Sequence, residues 1–338
     1  MDLTPFERAW PAVRGGQARP FAGGTNNRIW RIDSPTGAWA LRLAPASVTP
    51  RRLTFEANVL SLLQAQGLPF ALPVPAPTAQ DERYARVTLA EGETLATLTP
   101  LIPGQSPRRD DLTQAESAGE AIATLDEALA RIIPADPEEA RGWRMAGDLA
   151  GCHPAVPDPR AAIAGLPLPA ATLTRLLADY DATVAAAAAL YTTLPRQLCH
   201  EDSDPGNILM DGARVTGILD WEFCALDLRP MDLVVALTWW PVGRLGSGEE
   251  WPIIAALARG YARHRTLSSA EVAAIPTLYQ FRAYTSLIHR LGRMREGLSP
   301  LEQVIWRAEA ALERADWLAA SGERLTHVVA TGGEPYAE

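Results

Sequence analysis

Between residues 198 and 223 the chain reads LCHEDSDPGNILMDGARVTGILDWEF, a stretch crowded with carboxylates around one histidine and one asparagine. Acidic side chains this close repel one another, so the arrangement calls for a cation or a reacting proton. The pattern is His200-x-Asp202-x4-Asn207, with Asp220 thirteen residues on and Glu222 two further. Asp220 follows the β-like run Val215 to Leu219 and therefore stands at a strand end. A carboxylate and an amide oxygen from separate segments suit Mg²⁺, with nucleotide phosphates and water completing the octahedron. Asp202 is then left to orient and deprotonate an attacking hydroxyl.

These residues need elements to hold them. Gln197 to Cys199 and Val215 to Leu219 supply apolar runs on either side of the acidic turn. Upstream, residues 18 to 43 read as three strands: ARPF, then RIWRI after the turn AGGTNN, then AWALRL after SPTG, with a period of two over Arg28 to Ile32 and Trp39 to Leu43. Gly23 and Gly24 allow close backbone approach, and the N–H groups of Thr25, Asn26 and Asn27 can cup an anion; taken alone the stretch reads first as a plain hairpin turn. Arg42 points away from Leu41 and Leu43, either at a sheet edge or into a cleft. Thr49-Pro50 opens a helix whose buried stripe is Leu53, Ala57, Leu60 and Leu63, with Glu56 on its inward side. An inward Glu near an inward Arg invites an ion pair.

Gly67 closes that helix and a proline-rich connector follows. Two strands are expected at Ala85 to Leu89 and Thr94 to Ile102, and Thr99 to Gly104 has the proline stiffness and terminal glycine of a hinge. The chain thus divides into residues 1–104 and a largely helical 105–338. Helical spacing predicts helices over 112–132, 173–194, 231–240, 251–264, 270–295 and 300–321, with a frayed tail from Thr331. Residues 132–170 carry no firm pattern.

With 338 residues, 47% hydrophobic and 21% charged, the chain is a folded protein long enough for two lobes. No apolar run reaches a membrane span and MDLTPFERAW lacks a signal pattern, which points to the cytoplasm. A net charge of −9 argues against general nucleic-acid binding. Cys152, Cys199 and Cys224 are unpatterned and read as buried thiols. The chain contains no lysine, so all 31 basic residues are arginine. That excludes a P-loop lysine, a Schiff base and a lysine general base.

The form HxDxxxxN followed by IxDxE, carried by His200, Asp202, Asn207, Ile218, Asp220 and Glu222, resembles the aminoglycoside phosphotransferase and choline kinase group, which includes a homoserine-kinase-type branch. The resemblance extends to the Gly23-Gly24 loop, Arg42, the Glu56 helix, the Ile102-Pro103-Gly104 hinge and Met231-Asp232-Leu233. It implies an α+β, two-lobed protein-kinase-like fold: an antiparallel N-terminal sheet with one main helix, and a mostly helical C-terminal lobe. It implies transfer of the γ-phosphoryl group of ATP or GTP to a hydroxyl of a small molecule, with Mg²⁺. Asp202 would be the base, Asn207 and Asp220 the metal ligands, and Glu222 a further acid at the metal. His200 would be structural, and Asp232 would brace the loop. The backbone of Gly23 to Asn27 would cover the phosphates, Arg42 would take the place of the strand lysine with Glu56 as partner, and the Pro100 C=O and Ile102 N–H would meet adenine.

Three positions depart from the pattern: Arg42 for lysine, Glu201 for the glycine usual between His and Asp, and Asp126 where Leu-His is common. A hydrolytic metal site on His200, Asp202 and Asp204, and an inactive nucleotide-binding regulator, are the rival readings. The acceptor is open. An acidic protein suits an amine, for which Trp239, Trp240 and Trp251, otherwise read as core residues, would form an aromatic wall; Arg282, His289 and Arg290 suit an acceptor carrying a carboxylate.

Overall fold

The computed structural model describes residues 1–21, 28–141 and 149–336. The first elements are a one-turn helix α1 (Thr4–Glu7), strands β1 (Gln17–Pro20), β2 (Arg28–Ser34) and β3 (Gly37–Leu43), and helix α2 (Pro50–Gln64), followed by β4 (Ala85–Leu89) and β5 (Gly92–Pro100). The five strands form one antiparallel sheet in the order β1-β2-β3-β5-β4. Alternation decides its two faces. Ile32, Leu41, Leu43, Val87 and Leu98 join Phe6, Trp10 and Val13 in one small core, and Arg42, opposite the buried Thr97, is left for the other face.

Helix α2 covers that second face. Its entry is fixed by Thr49, whose side chain accepts a hydrogen bond from the Arg52 N–H at 3.1 Å, with proline in the first turn. Leu53, Ala57, Leu60 and Leu63 are all buried, as their spacing predicts, and each buried leucine contributes roughly 1.5–3 kcal/mol. Phe55, Val59, Leu60 and Leu63 belong to the larger core of the C-terminal lobe, so α2 packs on both lobes.

Strand β5 ends at Pro100, two residues before the expected Ile102, because the chain leaves the sheet there to reach the other lobe. That lobe comprises α3 (Leu112–Leu129), the short helices α4 (Pro137–Ala140) and α5 (Pro159–Ala164), α6 (Ala170–Thr193), strands β6 (Arg196–Cys199), β7 (Ile208–Asp211), β8 (Arg214–Ile218) and β9 (Ala225–Leu228), then α7 (Met231–Trp239), α8 (Glu250–Ala262), α9 (Ser269–Arg295) and α10 (Leu301–Ala330). α3 and α8 cross backbone to backbone: a Cβ on Gly119 would stand 2.2 Å from the Leu257 carbonyl oxygen and one on Gly260 1.8 Å from that of Glu116. α10 runs nine residues beyond the expected Ser321, since Leu325, Val328 and Val329 continue its buried face. The tail expected to fray is bonded back, with Gly333 N–H donating to Val328 O at 2.7 Å. Cys152, Cys199 and Cys224 are buried free thiols.

Candidate active site

The acidic turn hangs between two small antiparallel pairs, β6 with β9 and β7 with β8. His200 follows β6 and ties the turn together. Its Nδ1 accepts the Asp202 N–H at 3.3 Å, which leaves the proton on Nε2 to donate to the Leu219 carbonyl at 2.9 Å. Burial holds the imidazole below its ordinary pKa, in keeping with a neutral ring. The ring thereby spans from the residue before Asp220 to Asp202 and meets Trp221 edge-on, centroids 4.7 Å apart.

Asp232, in the first turn of α7, accepts the N–H of His200 at 2.7 Å and of Glu201 at 2.6 Å. Between them the backbone turns left-handed, with Glu201 at φ 72°. This is the position where glycine is usual in the resembling group, and for a residue with a Cβ such a turn is strained by about 1–3 kcal/mol. Asp126, the other departure, is fully buried and lies in the field of Asp232. Burial and the Asp232 charge push its carboxyl well above the usual range. Its Oδ2 accepts the Tyr261 hydroxyl at 2.7 Å.

Asp202 lies against Asn207, whose Nδ2 donates to Asp202 Oδ2 at 2.7 Å and to its backbone oxygen at 3.0 Å. Both amide hydrogens are thus spent, and the Asn207 Oδ1 is the atom left to face a cation. Arg282 Nη2 stands 3.6 Å from Asp202 Oδ1. Burial nonetheless pushes the Asp202 carboxyl up to about 6, with Arg282 opposing.

Asp220, at φ 60°, has its Oδ1 buried with no hydrogen-bond partner among the described residues. Burial, then Glu222 and Asp202, raise its pKa well above the carboxylate range. A bare buried oxygen flanked by two further acids fits a divalent cation, which would supply the missing countercharge. Among the described residues no group of three or more His, Cys, Asp or Glu side chains is placed to hold a metal ion by itself.

Arg42 and Glu56 meet as expected, Nη2 to Oε2 at 2.6 Å, across β3 and α2. Arg52, one turn before Glu56, was not legible as a site residue. Buried, it lies 3.5 Å from Glu56 Oε1 and donates through Nη2 to the carbonyls of Glu222 at 2.9 Å and Cys224 at 2.7 Å. The one signal it gave was its i,i+4 relation to Glu56. Gly23, Gly24, Thr25, Asn26 and Asn27 lie outside the described residues.

The hinge is clipped to the floor of the cleft. Thr216 Oγ1 donates to Pro103 O at 2.7 Å, and Gln105 exchanges two backbone hydrogen bonds with Met210. Gly104, at φ 145°, has no room for a Cβ, which would meet Thr216 Oγ1 at 2.4 Å. Leu101 N–H bonds back to Ala38 O, while no partner takes the Ile102 N–H among the described residues. Farther out, His289 packs between His153 and Phe223, ring centroids 5.6 and 5.5 Å away, and burial drives its pKa to about 3. Arg290 donates to Ser299 Oγ at 3.1 Å. Trp240 is buried, and Trp251 stacks on Trp317.

An antiparallel sheet over one main helix, a hinge, and a loop pairing Asp202 with Asn207 beside a strand-end Asp220 define a two-lobed, protein-kinase-like phosphotransferase. The chain belongs to the phosphotransferase enzyme family (APH), whose family model matches residues 17–274. It is 29% identical to a homoserine kinase of Acidiphilium cryptum over 294 residues, covering 86% of this chain and 85% of that protein. To a homoserine kinase of Caulobacter sp. strain K31 it is 31% identical over 286 residues, 82% of each. Among solved structures it is similar to the amicoumacin kinase hAmiN in complex with AMP-PNP, Ca²⁺ and Ami (TM-score 0.67, 15% identity, 89% and 88% of the two chains). A microcompartment-associated aminopropanol kinase gives a TM-score of 0.66 at 18% identity over 96% and 100%. The protein is a homoserine kinase-like small-molecule kinase, a phosphotransferase acting on a hydroxyl. No helix among the described residues is long and apolar enough to cross a membrane.

Proposed function

We propose that the chain transfers the γ-phosphoryl group of ATP or GTP, with Mg²⁺, to the side-chain hydroxyl of a small amino acid of the homoserine type, in the cytoplasm. The observation that carries this reading is the Asp202–Asn207 hydrogen bond of 2.7 Å beside the bare, buried oxygen of Asp220. Asp202 accepts the acceptor's hydroxyl proton and aims its oxygen; its pKa near 6 leaves it ionised at neutral pH yet basic enough to share a proton. Asn207 and Asp220 would hold Mg²⁺, with Glu222 close by. Bound there, it would supply positive charge to a nucleotide's phosphates. Arg42, steadied by Glu56, grips the phosphates, and the backbone of Gly23 to Asn27 covers them. The Pro100 C=O and the Ile102 N–H meet the adenine edge. His200 and Asp232 hold the loop in shape. Arg282 and Arg290 line the acceptor side.

The lobes are divided after Gly104, where the hinge crosses the cleft. The homoserine kinase relatives support the acceptor class. The test is a panel in which purified protein receives Mg-ATP or Mg-GTP with L-homoserine, L-serine, choline, ethanolamine or an aminoglycoside, read by phosphorus NMR. Transfer to L-homoserine at least about a hundredfold above nucleotide hydrolysis is expected. Nucleotide binding with transfer to no hydroxyl acceptor would instead mark a regulator on a kinase scaffold.

A further inference from the structure

Beyond Arg282, which faces Asp202, the helices α9 and α10 carry further positive charge. Arg282 and Arg290 stand on α9, with Arg293 one turn on, and Arg307 and Arg314 stand on α10. Arg307 is the most telling. Its guanidinium lies 4.4 Å from the ring centroid of Trp239 and 4.8 Å from that of Trp306. Stacking of this kind occupies the faces of the guanidinium plane and leaves the N–H edge to bind oxygen. Its Nη1 is buried with no hydrogen-bond partner among the described residues. A buried N–H donor left bare costs about 1–3 kcal/mol, more when charged.

The electrostatics agree with the geometry. Burial and the like charges of Arg314, Arg290 and Arg282 push Arg307 down to about 9, with Asp204 opposing. Burial and Arg293 likewise lower Arg290. Arg314, buried under the same Trp239 at 5.5 Å, is lowered by burial as well. Asp204 also faces Arg109, 3.8 Å away, and Arg282 is engaged at Asp202. The bare, stacked N–H edge of Arg307 is thus a place for an anion from outside. The same contacts exclude the aromatic cation box weighed from the sequence, because the face of Trp239 is covered by Arg307 and Arg314.

We infer that this cluster is the anion-binding half of the acceptor site: a substrate with its hydroxyl at Asp202 sets a carboxylate or phosphate group on Arg307, with Arg290 and Arg314 beside it. The inference rests on the kinase reading for the position of the hydroxyl. The anion site itself is a property of α9, α10 and Trp239, and can be measured without turnover.

The test is isothermal titration of the full chain, without nucleotide, with three probes: L-homoserine, homoserinol, in which the carboxylate is replaced by a hydroxymethyl group, and inorganic phosphate. Wild type is expected to bind homoserine at least about tenfold more tightly than homoserinol, and Arg307→Gln to abolish that preference. If the site is shaped for a phosphate-bearing substrate instead, inorganic phosphate binds more tightly than homoserine and is lost in the same variant. Arg307→Lys, which keeps the charge and loses the stacked fork, should recover part of the binding. Should Arg307→Gln fail to fold, Arg290→Gln carries the same expectation. Anion binding unchanged in Arg307→Gln and Arg290→Gln, or equal affinity for homoserine and homoserinol with no phosphate binding, overturns the inference. Anion binding with no transfer to any acceptor would leave the site standing and sink the kinase reading; transfer to homoserinol as fast as to homoserine would do the reverse.

Discussion

Arg282 holds its guanidinium 3.6 Å from the carboxylate of Asp202, with its own side chain 9% exposed. With Asp202 as the proposed base, the pair is expected to set the acidic limit of the reaction. Burial raises Asp202 to about 6 and Arg282 pulls against that rise. A base must be ionised, so turnover should fall as pH drops through 6. Arg282→Gln removes the opposing charge and is expected to move the acidic limb of the kcat/KM profile upward by roughly one unit. A limb that stays in place or moves down would show that Arg282 does not act on Asp202.

The same burial has a stability consequence. A carboxyl with a folded pKa above its ordinary 3.8 binds more protons folded than unfolded, so its contribution to stability falls as pH rises from about 4 to 6. Asp202→Asn should therefore melt higher than wild type at pH 7 and no higher at pH 4. Its kcat should drop by roughly 10²–10⁴, with the Kd for Mg-nucleotide changed less than about threefold.

Asp220→Asn separates the cation from the nucleotide. Removing the charge relieves repulsion from Glu222 and Asp202, so the variant should be at least as stable as wild type without metal. Wild type should gain thermal stability from ATP with Mg²⁺ well beyond the gain from ATP with EDTA, and the variant should lose that difference. An Asp220→Asn protein with a normal Mg²⁺-dependent shift would remove this residue from the metal site.

Arg52→Ala strips two hydrogen bonds from the carbonyls of Glu222 and Cys224 and leaves Glu56 with Arg42 alone. A loss of about 2–4 kcal/mol is expected in urea unfolding. The apparent Mg²⁺ affinity should weaken too, since the loop that Arg52 grips carries Glu222. Arg52→Lys should restore part of the stability, being able to reach one carbonyl.

Much of this site was legible because its chemistry is close in sequence. The spacing from Asp202 to Asn207 and Asp220 follows the loop and its hairpin, and period-two alternation set Arg42 on the face opposite Leu41 and Leu43, where α2 bears Glu56. Other members were hidden for a physical reason. Arg52 reaches carbonyls some 170 residues away, and any residue type exposes a carbonyl, so nothing in composition or period marks the contact. Asp126 stood out as a departure, but its partner Asp232 is brought to it only by the packing of α3 against α7 and α8. Arg307 read as one arginine among many until α10 laid it on Trp239. Strand β9 escaped because four residues carry too little alternation to be told from a loop.

α2 is embedded in two bodies at once. Swinging it away from the cleft, the motion by which a helix of this kind would uncouple Glu56 from Arg42, requires breaking both Arg52 carbonyl bonds and exposing Phe55, Val59, Leu60 and Leu63 to water. At roughly 1.5–3 kcal/mol for each apolar side chain, such a state is essentially unpopulated. The Arg42–Glu56 pair is therefore assembled before any ligand enters the cleft.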